Sequence, residues 1–160
     1  MKRFLLLLIA VSLFGCAHVV SQGMRDRARE VPPQALFSNP DAYKGQTVIL
    51  GGTIIGASNA KEGTYIEVIQ KPLDSRGRPQ DTDASFGRFL IFHEGYLDTT
   101  IYSRGRAVTV AGEIMGTRVR SIDDLPYSYP LIRSRELHLA ETGRRSVPVS
   151  IGIGIGIFSN

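Results

Sequence analysis

Cys16 has the most distinctive chemistry in the chain. It is the only cysteine among 160 residues and directly follows the most hydrophobic segment, in the stretch LFGCAH. A thiolate is a strong nucleophile that can be alkylated to a stable thioether. Because there is no second cysteine, a disulfide within the chain is excluded. The position therefore indicates attachment of another group through Cys16.

The segment before Cys16 has the form of a secretory signal peptide. Lys2 and Arg3 provide a positively charged start, and residues 4–14 form an eleven-residue apolar core. A helix that spans a bilayer needs about 20 apolar residues, so this run is too short to remain as an anchor. The sequence predicts a signal peptide over residues 1–15.

The end of this segment resembles the bacterial lipobox. Leu13 occupies position −3, Gly15 position −1 and Cys16 position +1, whereas Phe14 is larger than the small residue usual at −2. We therefore expect cleavage by signal peptidase between Gly15 and Cys16. Cys16 is expected to carry S-diacylglycerol and an N-acyl chain, with no other cofactor. Each buried methylene contributes about 0.8 kcal/mol, so these chains would hold the protein on a membrane.

Ala17 and the charge balance bear on location and partners. In enterobacterial-type sorting an Asp after the lipidated cysteine retains a lipoprotein in the inner membrane, so Ala17 favours the outer membrane, and we expect the domain to face the periplasm. The formal charge is +4, but 17 basic and 15 acidic residues remain once Lys2 and Arg3 are removed. So small an excess argues against nucleic acid as a partner.

The chain divides into four predicted regions. They are the signal peptide (1–15), a lipidated N-terminus and tether (16–33), a β domain (34–140), and a linker with an Ile-Gly tail (141–160). The tether is polar and ends in a proline pair, and a short amphipathic helix inside it is an alternative. One helical turn is expected at the start of the domain, with Asn39 as N-cap, Pro40 in the first position and Gly45 after the end.

The domain has the pattern of short β-strands bounded by glycine and proline. The predicted strands are 47–55, 64–70, 87–92, 107–115 and 134–140, with 129–133 as a lead-in. Tyr65, Glu67 and Ile69 should share one face of the second strand, and the pair Gly51–Gly52 favours a bent or bulged first strand. The sequence thus predicts an all-β protein: a small antiparallel β-barrel of OB-like form with a short N-terminal helix or tether.

The C-terminal stretch SVPVSIGIGIGIFSN alternates isoleucine with glycine. As a strand it would present an isoleucine ridge on one face and bare backbone on the other. Three interpretations remain open: a disordered tail, an edge strand added to the domain, and an intermolecular or membrane contact.

No residues have the spacing of an enzyme or metal site. His18, His93 and His138 are far apart in sequence, and no serine lies in a G-x-S-x-G turn. The carboxylate pairs Asp81–Asp83 and Asp123–Asp124 lie in loop-like sequence, where such residues shape turns. A calcium site in the loop from Asp74 to Asp83 and a hydrolase acting on cell-wall material are the alternatives. We predict a non-enzymatic protein without a metal site.

Five arginines adjoin glycine or proline near predicted strand ends and form a candidate binding rim. They are Arg76, Arg78, Arg88, Arg104 and Arg106. Guanidinium groups bind carboxylates and phosphates, so such a rim would recognise anionic envelope material or a partner protein. The structural alternative is that they lock turns by pairing with Asp74, Asp98 or backbone carbonyls.

Three segments resemble the Slp family of outer-membrane lipoproteins, the starvation-inducible type of Gram-negative bacteria. They are NPDAYKGQTVILGGTIIGASNAKEGTYIEVIQKPLDSRGRPQ, GRFLIFHEGYLDTTIYSRGRAVTVAGEIMG and LPYSYPLIRSRELHLA. The resemblance implies a lipid-anchored envelope protein, a structural or binding module linked to stress or stationary phase, and it supplies no catalytic residue. An alternative is an accessory subunit that docks on another envelope complex through the arginine rim or the Ile-Gly strand.

Overall fold

The computed structural model describes residues 18–140, and strands make up most of this part of the chain. Two short α-helices, α1 (Gln22–Arg27) and α2 (Pro33–Ser38), and a 3-10 helix (Pro40–Tyr43) come first. The strands are β1 (Thr47–Ala60), β2 (Gly63–Gln70), β3 (Arg88–Glu94), β4 (Ala107–Ile122) and β5 (Leu125–Leu139). The all-β prediction is confirmed, whereas Cys16 and the Ile-Gly tail lie outside the described residues.

The five strands close into a barrel in the order β1-β2-β3-β5-β4, with β4 pairing back onto β1. Neighbouring strands are antiparallel except for β3 and β5, which are parallel. A five-stranded Greek-key barrel is the architecture of the OB-fold. The predicted small barrel is therefore confirmed, and its strand order agrees with the OB-like form.

The barrel interior follows from the alternation of side chains along each strand. On β2, Ile66 and Val68 are fully buried in the core, while Tyr65 and Glu67 lie on the outer face, as the alternation predicts. Leu36 of α2 also enters the core, so the segment before the first strand contributes to the domain.

The last two strands are longer than predicted, because they continue past the barrel as a hairpin. Residues 117–122 of β4 pair with residues 125–130 of β5. Asp123 and Asp124 connect them with φ of 47° and 66°, as a two-residue hairpin turn of the I′ type requires. Their predicted turn-shaping role is confirmed. The prediction ended β4 too early because TRVRSI has few apolar residues.

The glycine pair of β1 serves close packing. The register of β1 shifts between Ile54 and Gly56, so the predicted bulge is not at the pair itself. A Cβ atom at Gly52 would lie only 1.9 Å from the carbonyl oxygen of Ile69, and one at Gly51 would lie 2.6 Å from Leu73 Cδ2. The absence of side chains therefore lets β2 and the loop that follows it approach β1.

We expect Gly52→Ala to lower the free energy of unfolding by about 1–3 kcal/mol, because the added methyl group would force the backbones of β1 and β2 apart. The matched control is Gly56→Ala on the same strand, where a Cβ atom meets nothing within 4 Å. Urea unfolding of the two variants provides the measurement. Equal stabilities would show that the close approach at Gly52 does not constrain the fold.

Candidate functional site

The segment predicted as a tether packs on the outside of the barrel. The Val19 amide donates to the Arg76 carbonyl at 2.9 Å, and Val20 is 2% exposed. Ten residues further on, the Arg29 amide donates to the carbonyl of Thr47, the first residue of β1, at 2.7 Å. The alternative of a short helix is borne out by α1, which lies between these two contacts. The described chain is thus in contact with the barrel from Val19 onward.

Glu136 on β5 holds this segment. Its carboxylate accepts a hydrogen bond from the Ser21 amide at 3.0 Å and another from the Ser21 hydroxyl, and His138 Nε2 lies 3.3 Å from Oε2. The Ser21 hydroxyl chiefly, and then the Ser21 amide, lower the pKa of Glu136, with a smaller contribution from His138. The ionised carboxylate is therefore the form that fastens the N-terminal segment to the barrel.

An open cavity of about 360 Å³ lies beside Val19. Its lining comes from the N-terminal segment, the β2–β3 loop, β4 and the end of β5: Val19, Arg78, Pro79, Thr109, His138, Leu139 and Ala140. The first and last described parts of the chain thus meet on one side of the barrel. The two ends of the described part of the chain therefore lie close to each other.

Arg76 and Arg78 belong to a turn of the β2–β3 loop that packs against this cavity. Asp74 Oδ1 accepts the backbone amides of both arginines at 2.8 Å. These amide hydrogen bonds, that of Arg78 first, lower the pKa of Asp74. Thr109 of β4 in turn donates its hydroxyl to the Gly77 carbonyl at 2.8 Å. The turn is thus held by backbone contacts, and the side chains of Arg76 and Arg78 are exposed.

Arg106 lies near the same place. Its Nη2 donates to the Ala140 carbonyl at 2.7 Å and its Nη1 to the Ile101 carbonyl at 3.1 Å. Ala140 and Arg78 line the same cavity, and exposed Arg104 is two residues before Arg106. Four of the five predicted rim arginines therefore belong to neighbouring segments, and Arg106 makes the backbone-carbonyl contacts of the structural alternative.

Arg88 has a different setting from the other four. Its Nη1 donates to Glu67 Oε1 at 3.0 Å, and its backbone amide donates to the Tyr127 hydroxyl at 3.0 Å. Glu67 chiefly raises the pKa of Arg88 through this hydrogen bond. The guanidinium of Arg88 thus lies against the outer face of β2 and β3.

The outer face of β2 and β3 carries a polar and aromatic cluster that sequence reasoning missed. Glu67 Oε1 accepts the hydroxyl of Tyr129 at 2.7 Å as well as the Arg88 guanidinium. Tyr129 is 2% exposed, and burial, with the neighbouring Glu67 carboxylate, raises the pKa of its hydroxyl to about 12. Tyr129 is therefore a neutral donor that satisfies the Glu67 carboxylate at physiological pH.

The β4–β5 hairpin covers the rest of this face. The guanidinium carbons of Arg118 and Arg120 lie 5.5 and 4.7 Å from the centroid of the Tyr65 ring, and Phe92 stacks on the same ring at 5.0 Å. In OB-folds this face commonly binds oligonucleotides or oligosaccharides. Here the protein's own arginines and tyrosines occupy it.

A sequence signal for the cluster exists on both sides of the Asp-Asp turn. Arg118 pairs with Tyr129 and Arg120 with Tyr127, so alternation places all four side chains on one face of the hairpin. The pattern does not predict that the hairpin bends onto Tyr65, which is more than 50 residues earlier in the chain.

The described residues do not form a metal site. Across positions 18–140, no three His, Cys, Asp or Glu side chains come together in a group that could hold a metal ion. Among the same residues, none of the helices has the length and apolar character that crossing a bilayer requires.

The histidine contacts also lack the order of a catalytic triad. Glu136 lies between Ser21 and His138, whereas a triad needs the imidazole between the hydroxyl and the carboxylate. His93 Nδ1 lies 2.9 Å from Ser134 Oγ on the neighbouring strand. These contacts connect the N-terminal segment to β5 and β3 to β5.

We expect Tyr129→Phe to lower the free energy of unfolding by about 1–2 kcal/mol, because the half-buried Glu67 carboxylate would lose one of its two hydrogen-bond donors. Tyr96→Phe is the control, since Tyr96 is 74% exposed and its change should stay within about 0.5 kcal/mol. Denaturant unfolding measures both. Equal effects would mean that the Tyr129 hydroxyl contributes nothing to the cluster.

Attachment of the N-terminal segment should depend on pH. The folded pKa of Glu136 is lowered, so its stabilisation is complete above the ordinary value of 4.5 and is lost as the pH falls through the folded value. Amide-exchange protection of residues 19–29 should fall in this window and should already be reduced at neutral pH in Glu136→Gln. Asp26→Asn, an exposed carboxylate on α1, is the control. Unchanged protection in Glu136→Gln would contradict this role.

Comparison with known proteins agrees with the outer-membrane lipoprotein character of the sequence. The outer membrane lipoprotein Slp family matches residues 13–150. The Escherichia coli K12 protein named outer membrane protein Slp is 36% identical over 96 residues, 59% of this chain and 50% of its own. The uncharacterized lipoprotein YeaY of the same strain is 34% identical over 98 residues, 61% of this chain and 50% of its own.

An uncharacterized protein of Haemophilus influenzae Rd is 31% identical over 107 residues, 66% of this chain and 55% of its own. The chain spans about half the length of these curated relatives. The family match, by contrast, covers most of this chain and includes the entire described barrel. The chain belongs to the outer membrane lipoprotein Slp family.

Proposed function

We propose that this protein is a lipid-anchored lipoprotein of the outer membrane, and that its barrel is a non-enzymatic structural or binding module held close to the bilayer. The observation that carries the proposal is the contact of Val19 with the barrel only three residues after Cys16. Three residues span at most about 11 Å when fully extended. A lipid on Cys16 would therefore leave the barrel little freedom to move away from the membrane.

The lipobox-like residues and the family both support the anchor. Leu13, Gly15 and Cys16 fit the motif, and the matched region of the family begins at residue 13. We propose that Cys16 carries S-diacylglycerol and an N-acyl chain and that the domain faces the periplasm. Ala17 supports placement in the outer membrane. The link to starvation or stationary phase is proposed from the family resemblance.

A non-enzymatic role is supported by how the polar groups are used. Glu67 is engaged by Tyr129 and Arg88, and Glu136 by Ser21 and His138. These carboxylates hold segments of the protein together. The alternative is an accessory subunit that docks on another envelope complex through the arginine rim or the Ile-Gly strand. Arg76 and Arg78 of that rim have exposed side chains.

The anchor can be tested on protein extracted from membranes. Mass spectrometry should find acylated Cys16 as the first residue, and Cys16→Ser should move the protein out of the membrane fraction. Ser21→Ala is the control, because it leaves the lipidation position intact and should remain membrane-bound. An N-terminus at Met1 or Ala17, or an unmodified Cys16 thiol, would overturn the proposal.

A further inference from the structure

One side of the barrel combines exposed arginines with both ends of the described chain. We define it as the Val19 face, formed by Val19, Arg76, Arg78, Ile101, Arg106 and Ala140. We propose that the Val19 face lies on the headgroups of the bilayer that holds the anchor, with its exposed Arg76 and Arg78 bound to phospholipid phosphates. The inference rests on the proposed lipid anchor and adds a fixed orientation of the barrel.

Direct contacts show that the Val19 face is continuous. The Val19 amide reaches the Arg76 carbonyl at 2.9 Å, and Val19 and Arg78 line the cavity that ends at Ala140. The Ala140 carbonyl then accepts from Arg106, which also bonds the Ile101 carbonyl. A single surface thus runs from the N-terminal segment to the β3–β4 connection.

The length of chain before Val19 determines which surface is near the lipid. Val19 is three residues from Cys16, so it lies within about 11 Å of the attachment point. The headgroup layer on each side of a bilayer is about 5–8 Å thick. The neighbours of Val19 are therefore within reach of the phosphates, and Arg76 and Arg78 have exposed side chains.

The charge of this surface favours short-range contact. Asp74 already accepts the amides of Arg76 and Arg78, while Asp81 and Asp83 line a second cavity beside Gly105. These carboxylates offset much of the positive charge, so long-range attraction is weak. Binding then depends on direct guanidinium–phosphate hydrogen bonds, which are often bidentate.

Ile101 adds an apolar element to the same face. Its side chain is 51% exposed, and its carbonyl accepts a hydrogen bond from Arg106. An apolar side chain beside arginines suits the boundary between headgroups and acyl chains. The apolar side chain enters the acyl layer, and the guanidinium groups stay at the phosphates. The Val19 face thus has both features of an interfacial surface.

The orientation predicts which parts of the barrel point away from the membrane. Lys61 lies in the β1–β2 turn, directly after Ala60. Gly52, at the other end of this part of β1, pairs with the end of β2 next to the Val19 face. Ala60 is about 26 Å from Gly52 along the strand. Lys61 is exposed, as is Ser75 in the turn that carries Arg76. These two positions provide a distal and a proximal probe.

The test uses the full lipidated protein in phosphatidylethanolamine–phosphatidylglycerol vesicles. Cys16 is blocked by its lipid, so Ser75→Cys and Lys61→Cys each introduce a single reactive thiol for a bimane label. Lipids with a nitroxide on the headgroup should quench bimane at position 75 at least twofold more strongly than at position 61. Equal quenching at the two positions would overturn the orientation.

The arginine contacts are tested separately, with the label at position 75. Arg76→Glu and Arg78→Glu should each reduce quenching by about half, whereas Lys61→Glu, the matched control, should not change it. An unchanged urea midpoint shows that each variant is folded. If Arg76→Glu and Arg78→Glu quench like the control, the phosphate contacts are wrong.

Vesicle flotation distinguishes failure of the anchor from failure of the orientation. Protein that does not float with the vesicles lacks the anchor, which overturns the proposed function and this inference together. Protein that floats but is quenched equally at positions 61 and 75 retains the anchor and overturns only the Val19 face.

Discussion

Closure of the barrel through β1 is the constraint on which the rest of the structure depends. At Gly52 this strand pairs with Gln70 of β2 on one side and with Val108 of β4 on the other. The carbonyl of Ile69 lies where a Cβ of residue 52 would be. A side chain there would separate strands that must pair on both edges, so barrel closure and the glycine are inseparable. Gly51 then provides room for the β2–β3 loop to lie on the barrel.

The placement of that loop accounts for the features nearest the proposed anchor. With the loop against Gly51, the Gly77 carbonyl reaches the Thr109 hydroxyl, and the Arg76 carbonyl faces the Val19 amide. Ser21 then meets Glu136 on β5. Backbone and carboxylate contacts thus hold the N-terminal segment, while the guanidinium groups of the turn stay outside. A lipoprotein whose N-terminal segment is fixed in this manner would present one defined side of its barrel to the membrane.

The β4–β5 hairpin determines what the outer face of β2 and β3 can do. By bending onto β2 and β3, it covers the face that OB-folds commonly use for ligands. Tyr129 and Arg88 satisfy Glu67, and Arg118 and Arg120 cover Tyr65. Binding of a ligand to this face, as in other OB-folds, would require these contacts to break. Val119 and Leu125 of the hairpin are exposed to solvent.

Local sequence pattern was enough to predict the five strands, the one-turn helix at Pro40, the Asp123–Asp124 turn and the lipobox-like position of Cys16. The same pattern did not show that the predicted tether packs on the barrel. Nor did it show that Arg88 pairs with Glu67, away from the other arginines. These points depend on how the barrel folds. Strand alternation and turn residues act over a few neighbours in the chain, whereas Val19 with Arg76 and Glu67 with Tyr129 meet only after the barrel has closed.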